Sequence, residues 1–157
     1  MCEKNNLNIA IVLDNIRSMH NIGSIFRTCD AIGNCTIYLC GICAIPPNKN
    51  IHKTALGATK SVNWKYYETT FLAVEKLKKN NYQIIAVEQT KNSIPLSNFS
   101  TKNKKIALIF GNEVNGVSNE IIQQADDCIE IEQRGIKKSM NVSVTAGIIL
   151  WSIRNNS

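Results

Sequence analysis

Three short runs of apolar residues constrain the fold of this chain more than any other feature of its sequence. They are LNIAIVLDN at 7–15, YQIIAVEQT at 82–90 and KKIALIFGN at 104–112. Their apolar residues follow one another without the alternation of a strand that has one face in water. Strands of this kind are buried on both faces, which is typical of parallel sheets covered by helices. The sequence therefore predicts an α/β fold with a mostly parallel sheet.

The segments between these runs supply the remaining elements. Further strands are expected at 35–42, 61–67 and 127–133, helices from Asn21 and at 69–80, 118–125 and 139–155, and a long loop or short helix at 44–60. Strands that alternate with helices indicate a doubly wound α/β domain. Because 157 residues supply material for one core, residues 1–157 are expected to form a single domain.

The chain is basic, with a formal net charge of +6 at pH 7. This charge favours an anionic partner such as nucleic acid, but a solvated lysine surface explains it equally well. No stretch reaches the roughly 18 consecutive apolar residues of a membrane span, and the first residues, MCEKNNLN, are too polar for a secretion signal. We therefore expect a cytoplasmic protein without a membrane partner.

Six cysteines are present, and most of them lie inside apolar runs, where a free thiol behaves as a small apolar side chain. Reduced core thiols are therefore the favoured interpretation. Cys40 and Cys43 form the pattern CGIC, whose spacing also occurs in redox and zinc sites. No second CxxC and no suitably spaced Cys/His pair accompany it, so no metal site is expected. A redox role for these two thiols is left open.

The segment NIGSIFRTCDAIG at 21–33 predicts an amphipathic helix. Asn21 is expected to cap the start of this helix by accepting backbone N–H groups. Apolar residues that recur at helical spacing would face the core; they are Ile22, Ile25, Phe26, Cys29 and Ile32. Arg27 shares the opposite face with Ser24 and Asp30. On these residues alone, Arg27 is either half of a surface ion pair with Asp30 or a functional group.

The segment GNEVNGVS at 111–118 follows a predicted strand and has the glycine spacing of a phosphate-binding P-loop. Val117 stands where that motif requires lysine, so a P-loop NTPase is excluded. No G-x-G-x-x-G follows the first strand, which argues against a nicotinamide or flavin enzyme. Gly111 and Gly116 either shape a turn or let a ligand approach the backbone, and Glu113 is the one acidic residue of the loop.

The segment SMNVSVTAG at 139–147 places Ser139 and Asn141 at a predicted helix start, with Ser139 as a candidate for the cap. Small residues follow on one face of this helix, namely Ser143, Ala146 and Gly147. They permit close packing against another helix, either within the chain or in a partner.

Together the three segments resemble the motifs of the SpoU/TrmH branch of the SPOUT RNA methyltransferases. The motifs of that family are Asn-x-Gly-x-x-x-Arg, Gly-x-Glu-x-x-Gly and Ser-x-Asn-x-Ser, and all occur here in the family's order. They match, in turn, Asn21, Gly23 and Arg27; Gly111, Glu113 and Gly116; and Ser139, Asn141 and Ser143. One departure is that the segment IEQRG lacks the proline that usually follows the apolar strand residue.

The resemblance implies a deep trefoil knot in the C-terminal part of the chain, whose loops form a site for S-adenosylmethionine. In relatives the cofactor is held largely by backbone groups of three loops. The residues expected to contact it here are Val87, Gly111, Ile131, Ser139 and Met140, with Glu88 and Gln89 as neighbours. A side chain at Gly111 is expected to fill space that the cofactor needs.

The resemblance also implies methyl transfer to a ribose 2′-hydroxyl, which RNA has and DNA lacks. Arg27 is expected to bind an RNA phosphate and to stabilise the developing alkoxide, because a guanidinium stays protonated. Asn21, Glu113, Ser139 and Asn141 are expected to position Arg27 and the ribose, or to order the loops of the knot. Family members form homodimers in which both subunits contribute to a site, so a homodimer is expected here.

Among RNA substrates the resemblance favours tRNA, with rRNA second, since the chain is similar to members that consist of the catalytic domain alone. His20 is expected to be a loop residue rather than the base. The competing hypothesis is a catalytically silent protein on the same scaffold that binds RNA or senses the cofactor, against which the intact motif residues argue. The candidate RNA contacts are His52, Lys53, Lys60, Lys137 and Lys138.

Overall fold

The computed structural model of the chain describes residues 6–156, which form one parallel sheet of seven strands with helices on both faces. The α/β architecture predicted from the apolar runs is confirmed. None of the helices within this range is long and apolar enough to cross a membrane. The strands are β1 (Asn8–Asp14), β2 (Cys35–Cys40), β3 (Asn63–Tyr67), β4 (Gln83–Val87), β5 (Ile94–Pro95), β6 (Lys105–Phe110) and β7 (Asp127–Glu130). The helices are α1 (Met19–Ile32), α2 (Lys49–Ala55), α3 (Thr70–Lys79), α4 (Asn119–Gln124) and α5 (Val142–Asn155).

Burial on both faces of the sheet explains why its central strands are continuous apolar runs. Ile9, Ile11 and Leu13 of β1 face a core layer that includes residues of α1, α2 and α5. Ala10 and Val12 of the same strand face the opposite layer, which includes residues of α3 and α4. All five side chains are at most 2% exposed, so neither face of β1 contacts water.

The order of the strands across the sheet is β3-β2-β1-β6-β4-β7-β5. β6 therefore lies between β1 and β4, and β7 lies between β4 and β5, although both come later in the chain. Because all the pairings are parallel, the loops that follow β1, β6, β4 and β7 emerge side by side at one edge. A knot requires a late segment to pass between earlier ones, and this order is compatible with one. The trefoil knot itself stays a prediction.

The starts of two helices differ from the sequence predictions. Ser18 caps α1, and its Oγ accepts the backbone N–H of Asn21 at 3.2 Å. The prediction that Asn21 is the cap is therefore wrong, because the helix extends a further turn towards its N-terminus. Asn141 caps α5 by accepting the backbone N–H of Ser143 at 2.9 Å, so Ser139 precedes the helix instead of capping it.

The structure adds detail to the sequence predictions at three other places in the chain. The connection between β4 and β6, for which the sequence predicts no element, contains β5, which pairs with β7 through two residues. A strand of two residues has no periodicity that a sequence pattern can reveal. The stretch 44–60 contains α2, the second of its two expected alternatives. His20, predicted to be a loop residue, lies in the first turn of α1.

The cysteines that the structure describes are free thiols, and most of them are buried. Cys43 Sγ donates to the carbonyl oxygen of Leu13 at 3.3 Å and accepts the backbone N–H of Ile16 at 3.2 Å. Burial raises the pKa of Cys40 to about 12, so this thiol stays protonated at neutral pH. Within residues 6–156 no group of three or more His, Cys, Asp or Glu side chains is arranged to hold a metal ion. Cys2 lies outside the described residues.

The glycine of the first motif lets two helices approach each other closely. A Cβ on Gly23 would overlap Thr54 Oγ1 and the carbonyl oxygen of Ile51, both in α2. The Thr54 hydroxyl donates to the carbonyl oxygen of His20 at 2.8 Å and so ties α2 to the first turn of α1. Gly23 therefore serves the packing of α1 on α2.

We expect Gly23→Ala to lower the free energy of unfolding by about 1–3 kcal/mol, because the added methyl group must push the two helices apart. Urea unfolding at one fixed protein concentration measures this change. Gly135→Ala is the matched control and should change stability by less than about 0.5 kcal/mol, since a Cβ there meets nothing within 4 Å. Equal effects of the two substitutions would contradict the packing role of Gly23.

Candidate functional site

A cavity of about 580 Å³, here named the carboxyl-edge cavity, opens where three adjacent strands end. It is lined by Val87 at the end of β4, Gly111 directly after β6 and Ile131 directly after β7. Ligands of α/β folds bind at the carboxyl edge of the sheet, because the loops that follow neighbouring strands leave a crevice there. The volume lies within the range of about 300–1,000 Å³ that is typical of small-molecule sites.

The structure brings all the residues predicted to contact a cofactor to this one cavity. They come from three segments that are well separated along the chain. Glu88 and Gln89, expected as neighbours, also line it. The assignment of these residues to cofactor contacts stays a prediction, and the shared cavity makes it geometrically consistent. The predicted contact residues are Val87, Gly111, Ile131, Ser139 and Met140.

The loop after β6 is closed by backbone hydrogen bonds. The N–H of Asn112 donates to the carbonyl oxygen of Gly116 at 3.1 Å, and the N–H of Gly116 donates back at 2.8 Å. A Cβ on Gly111 would overlap the backbone of Gly116 and Val117. Gly111 is thus required for the closure of the loop itself, whereas the sequence suggested that a side chain there would fill the space of the ligand.

Side chains tie the walls of the carboxyl-edge cavity to one another. The Glu88 carboxylate accepts the backbone N–H of Val117 at 2.9 Å, which joins the loop after β4 to the loop after β6. Gln89 Nε2 donates to the carbonyl oxygen of Lys138 at 3.0 Å, which joins the loop after β4 to the segment before α5. These contacts fix the relative positions of the three loops.

Asn112 has a structural role that the sequence reasoning missed. Its Oδ1 accepts the backbone N–H groups of Val114 at 2.9 Å and Asn115 at 3.2 Å, and its Nδ2 donates to the carbonyl oxygen of Asn15 at 2.6 Å. The side chain therefore shapes its own loop and attaches it to the loop after β1. An asparagine at the start of a short glycine-containing loop is a signal for such a turn.

Glu113 binds the backbone that leads into α1. Its carboxylate accepts the N–H groups of Arg17 and Ser18, both at 3.1 Å. Burial by itself would raise the pKa of Glu113, but these two N–H groups, its own N–H and the Asn21 amide outweigh burial and lower that pKa below its ordinary value. Glu113 is therefore an ionised acceptor that holds the start of α1, a role consistent with the predicted positioning function.

The first and third motifs meet through their asparagines. Asn141 Nδ2 donates to Asn21 Oδ1 at 3.2 Å, and both residues line the carboxyl-edge cavity together with Glu113 and Ser139. Four of the five residues predicted to act in catalysis are thus adjacent. This contact also explains why Asn21 does not cap α1. The Asn21 side chain faces the cavity and not the start of the helix.

Arg27, the fifth predicted catalytic residue, does not line the carboxyl-edge cavity. It is exposed and lines a separate cavity of about 530 Å³, here named the Arg27 cavity, together with Ser24 and Lys53. Arg27 and Asp30 both belong to the described residues and form no ion pair, so the alternative of a surface ion pair is wrong. Asp30 instead accepts a hydrogen bond from the Ser61 hydroxyl.

The residues of the carboxyl-edge cavity fit S-adenosylmethionine. Val87, Met140 and Val142 would provide apolar surface for its purine ring. Backbone groups at the strand ends and polar side chains such as that of Ser139 suit the ribose hydroxyls and the amino-acid part of the cofactor. A mixed lining of this kind is expected for a ligand that has one flat aromatic part and several polar parts.

The parallel sheet, the cavity at its carboxyl edge and the three motif loops that meet there define an α/β domain with a small-molecule site at the ends of its strands. The sequence profile described as the SpoU rRNA Methylase family matches residues 8–151. The chain therefore belongs to the SpoU methylase family.

Comparisons with individual proteins agree with this family. A tRNA (guanosine(18)-2'-O)-methyltransferase of Aquifex aeolicus is 37% identical over 153 residues, which cover 95% of this chain and 70% of that protein. The crystal structure of the A. aeolicus TrmH/SpoU tRNA modifying enzyme has a TM-score of 0.84 at 31% identity, covering 95% of this chain and 75% of that one. The AdoMet-bound rRNA methyltransferase from Sinorhizobium meliloti has a TM-score of 0.86 at 26% identity, covering 94% and 56%. The chain thus spans between 56% and 75% of these proteins.

Glu113→Gln should reduce the loss of stability at acid pH. Because the pKa of Glu113 is lowered in the folded protein, its ionised form stabilises the fold above the ordinary pKa of 4.5, and this contribution is lost as the pH falls through the lowered pKa. Between about pH 5 and pH 3, the wild type should lose about 0.5 kcal/mol more than the variant, a small difference because the carboxylate contacts water.

Urea unfolding at a series of pH values measures this difference. Glu75→Gln, on the exposed surface of α3, removes the same charge and serves as the control. If Glu75→Gln reduces the acid sensitivity as much as Glu113→Gln does, the contacts of Glu113 with Arg17 and Ser18 are not its cause.

Proposed function

We propose that this protein transfers a methyl group from S-adenosylmethionine to a ribose 2′-hydroxyl of RNA, with tRNA as the first candidate substrate. The observation that carries the proposal is the meeting of the three motifs around the carboxyl-edge cavity. Membership of the SpoU methylase family supports the reaction, and the AdoMet-bound relative supports the cofactor. The relatives named for tRNA support tRNA, and the one named for rRNA makes rRNA the second candidate.

The residues of the chain supply what the reaction requires besides the methyl group, which the bound cofactor provides in electrophilic form. A ribose hydroxyl is a weak nucleophile. As its oxygen takes the methyl group its proton passes to solvent water, and the site must stabilise the negative charge that develops on the oxygen. Arg27 carries a permanent positive charge and a planar set of donors that suits phosphate and alkoxide oxygens. Asn21 and Asn141, which are hydrogen-bonded to each other, orient the ribose at the mouth of the cavity.

The position of Arg27 outside the cavity supports a site shared between two copies of the chain. Arg27 lies six positions after Asn21 in α1, which corresponds to about 9 Å along the helix axis. On α5, Val144, Ile148 and Trp151 are 52%, 40% and 66% exposed and recur at helical spacing, which marks an interaction surface. The proposal therefore includes a homodimer through α5, in which Arg27 of one subunit faces the carboxyl-edge cavity of its partner.

The cysteines support a location in the cytoplasm, which we include in the proposal. All the cysteines within residues 6–156 are free, and thiols in this number suit a reducing compartment. DNA is not a substrate under this proposal, since it has no 2′-hydroxyl to accept the methyl group.

The proposed reaction is tested by incubating the purified protein with methyl-labelled S-adenosylmethionine and separate pools of unmodified tRNA, rRNA and DNA of matched sequence. Label is expected in tRNA, at nucleotides whose 3′ phosphodiester resists alkaline cleavage because the 2′-oxygen is blocked. Transfer to rRNA alone would replace the substrate and keep the reaction. The absence of transfer to any RNA at saturating cofactor would contradict the enzyme and favour the catalytically silent alternative.

We expect Gly111→Ala to lower the affinity for S-adenosylmethionine by more than about 10-fold, because the loop 111–116 must open to accept the methyl group and then no longer lines the cavity. Isothermal calorimetry without RNA measures the affinity. Gly135→Ala is again the matched control, because a Cβ there meets no protein atom within 4 Å. Wild-type affinity in Gly111→Ala would show that the tight loop is not needed for the cofactor.

Arg27→Ala should leave cofactor binding and dimerisation unchanged and lower turnover by roughly 100-fold, the usual effect of removing one preorganised charge-stabilising donor. The shared site makes a second, sharper prediction. In purified heterodimers of Arg27→Ala and Gly111→Ala subunits, one of the two sites combines an intact Arg27 with an intact cavity. Such heterodimers should regain about half of the wild-type activity, because a two-fold dimer has two equivalent sites.

Two affinity tags, one on each variant chain, allow these heterodimers to be isolated after co-expression. If Arg27 instead acts at the cavity of its own subunit, each subunit of the heterodimer carries a defect and no activity returns. Wild-type turnover in Arg27→Ala homodimers would refute the catalytic role of Arg27.

A further inference from the structure

Arg27 shares its cavity with a second cation, Lys53 of α2. We propose that Lys53 and Arg27 together form a phosphate clamp that holds one phosphodiester of the RNA substrate. The proposal rests on the proposed function and adds to it a second residue that binds and positions the RNA.

The helix that carries Lys53 is held firmly against α1. Asn48 caps its first turn by accepting the backbone N–H groups of Asn50 at 2.9 Å and Ile51 at 3.1 Å. The hydroxyl of Thr54, the residue next to Lys53, donates to the carbonyl oxygen of His20 in α1 at 2.8 Å. The absence of a side chain at Gly23 allows this close approach. The backbone of Lys53 therefore has a fixed position relative to that of Arg27.

The two cations are free to bind an anion. Both side chains are exposed, and neither has a hydrogen-bond or ion-pair partner among the residues that the structure describes. Asp30, the acidic residue one turn beyond Arg27, accepts the hydroxyl of Ser61 instead. The hydroxyl groups of Ser24 and Thr28 line the same cavity and add donors for phosphate oxygens.

The two residues contribute different properties to the clamp. A guanidinium binds two oxygens of a phosphate in a fixed plane, whereas an ammonium group acts as a compact point charge on a flexible stem. Arg27 thus sets the orientation of the phosphodiester, and Lys53 adds attraction. Charge is the property that matters at position 53, so arginine can replace Lys53 and glutamine cannot.

Lys53 also lies in the last turn of α2, where a cation stabilises a helix through its dipole. A lysine with this role alone affects the stability of the fold and leaves RNA binding unchanged. The salt dependence of RNA binding separates the two roles, because each phosphate contact that is lost lowers the slope of log K against log salt by about 0.7–0.9.

The experiment measures the binding of fluorescently labelled, unmodified tRNA to the chain of 157 residues without cofactor, in about 50–300 mM NaCl. Lys53→Gln should weaken binding by about 5–10-fold in about 100 mM salt and lower the slope by about 0.7–0.9, and Lys53→Arg should restore both. The matched control is Lys65→Gln. Lys65 is exposed and lies over the ring of Tyr38, whose side chain belongs to the core layer on the opposite face of the sheet from α1 and α2.

A double variant tests whether the two cations hold the same phosphate. The loss of affinity in Arg27→Ala combined with Lys53→Gln should be smaller than the product of the two single losses, because residues that share one partner are coupled. Independent losses would overturn the shared clamp. Equal salt slopes of tRNA binding for Lys53→Gln and Lys65→Gln would also overturn it. The same holds if Lys53→Gln changes the stability towards urea but leaves the salt slope of tRNA binding unchanged.

The outcome is distinguishable from that of the proposed function. If tRNA binding depends on Lys53 as expected but no methyl group is transferred, the clamp stands and the methyltransferase proposal fails. If the wild type transfers methyl groups and Lys53→Gln binds and modifies tRNA equally well, the clamp fails and the methyltransferase proposal stands.

Discussion

The candidate site depends on the contact between the loop that follows β6 and the loop that follows β1. Asn112 donates to the carbonyl oxygen of Asn15, 97 residues earlier in the chain, and Glu113 accepts the N–H groups of Arg17 and Ser18. These contacts form because β6 lies beside β1 in the sheet. Since Ser18 caps α1, they also fix the direction in which that helix leaves the sheet. The second motif therefore positions the first.

Local periodicity encodes most of the fold but not its boundaries. The continuous apolar runs predict β1, β4 and β6 because burial on both faces is a property of each strand by itself. β5 has no such pattern, because it exists only through its pairing with β7. The start of α1 shows the same limit. Ser18 and Asn21 are both good capping residues, and the contact of Ser18 with Glu113 favours the earlier cap. Glu113 lies 95 residues from Ser18, so no local sequence pattern can predict this contact.

The ordered motifs predict which loops meet, and the residues expected at the cofactor do line one cavity. They do not predict why a motif residue is needed. Gly111 permits the closure of its own loop and Gly23 permits the packing of α1 on α2, whereas a sequence pattern suggests only that a glycine is required. The separate cavity around Arg27 also could not be predicted from the sequence, because α2 forms part of its wall. For the stretch that contains α2, the sequence allowed either a loop or a helix.

Helix α1 connects the two places where ligands are expected to bind. Its first turn carries Asn21 to the carboxyl-edge cavity, and its middle carries Arg27 to the Arg27 cavity. A change in the loop 111–116 alters the first place directly, whereas a change in α2 alters the second. A change that tilts α1 alters both, because one rigid helix of 14 residues holds both side chains. The contacts of Glu113 and Thr54 with the start of α1 therefore hold both side chains in place, and the loss of either contact would affect both cavities.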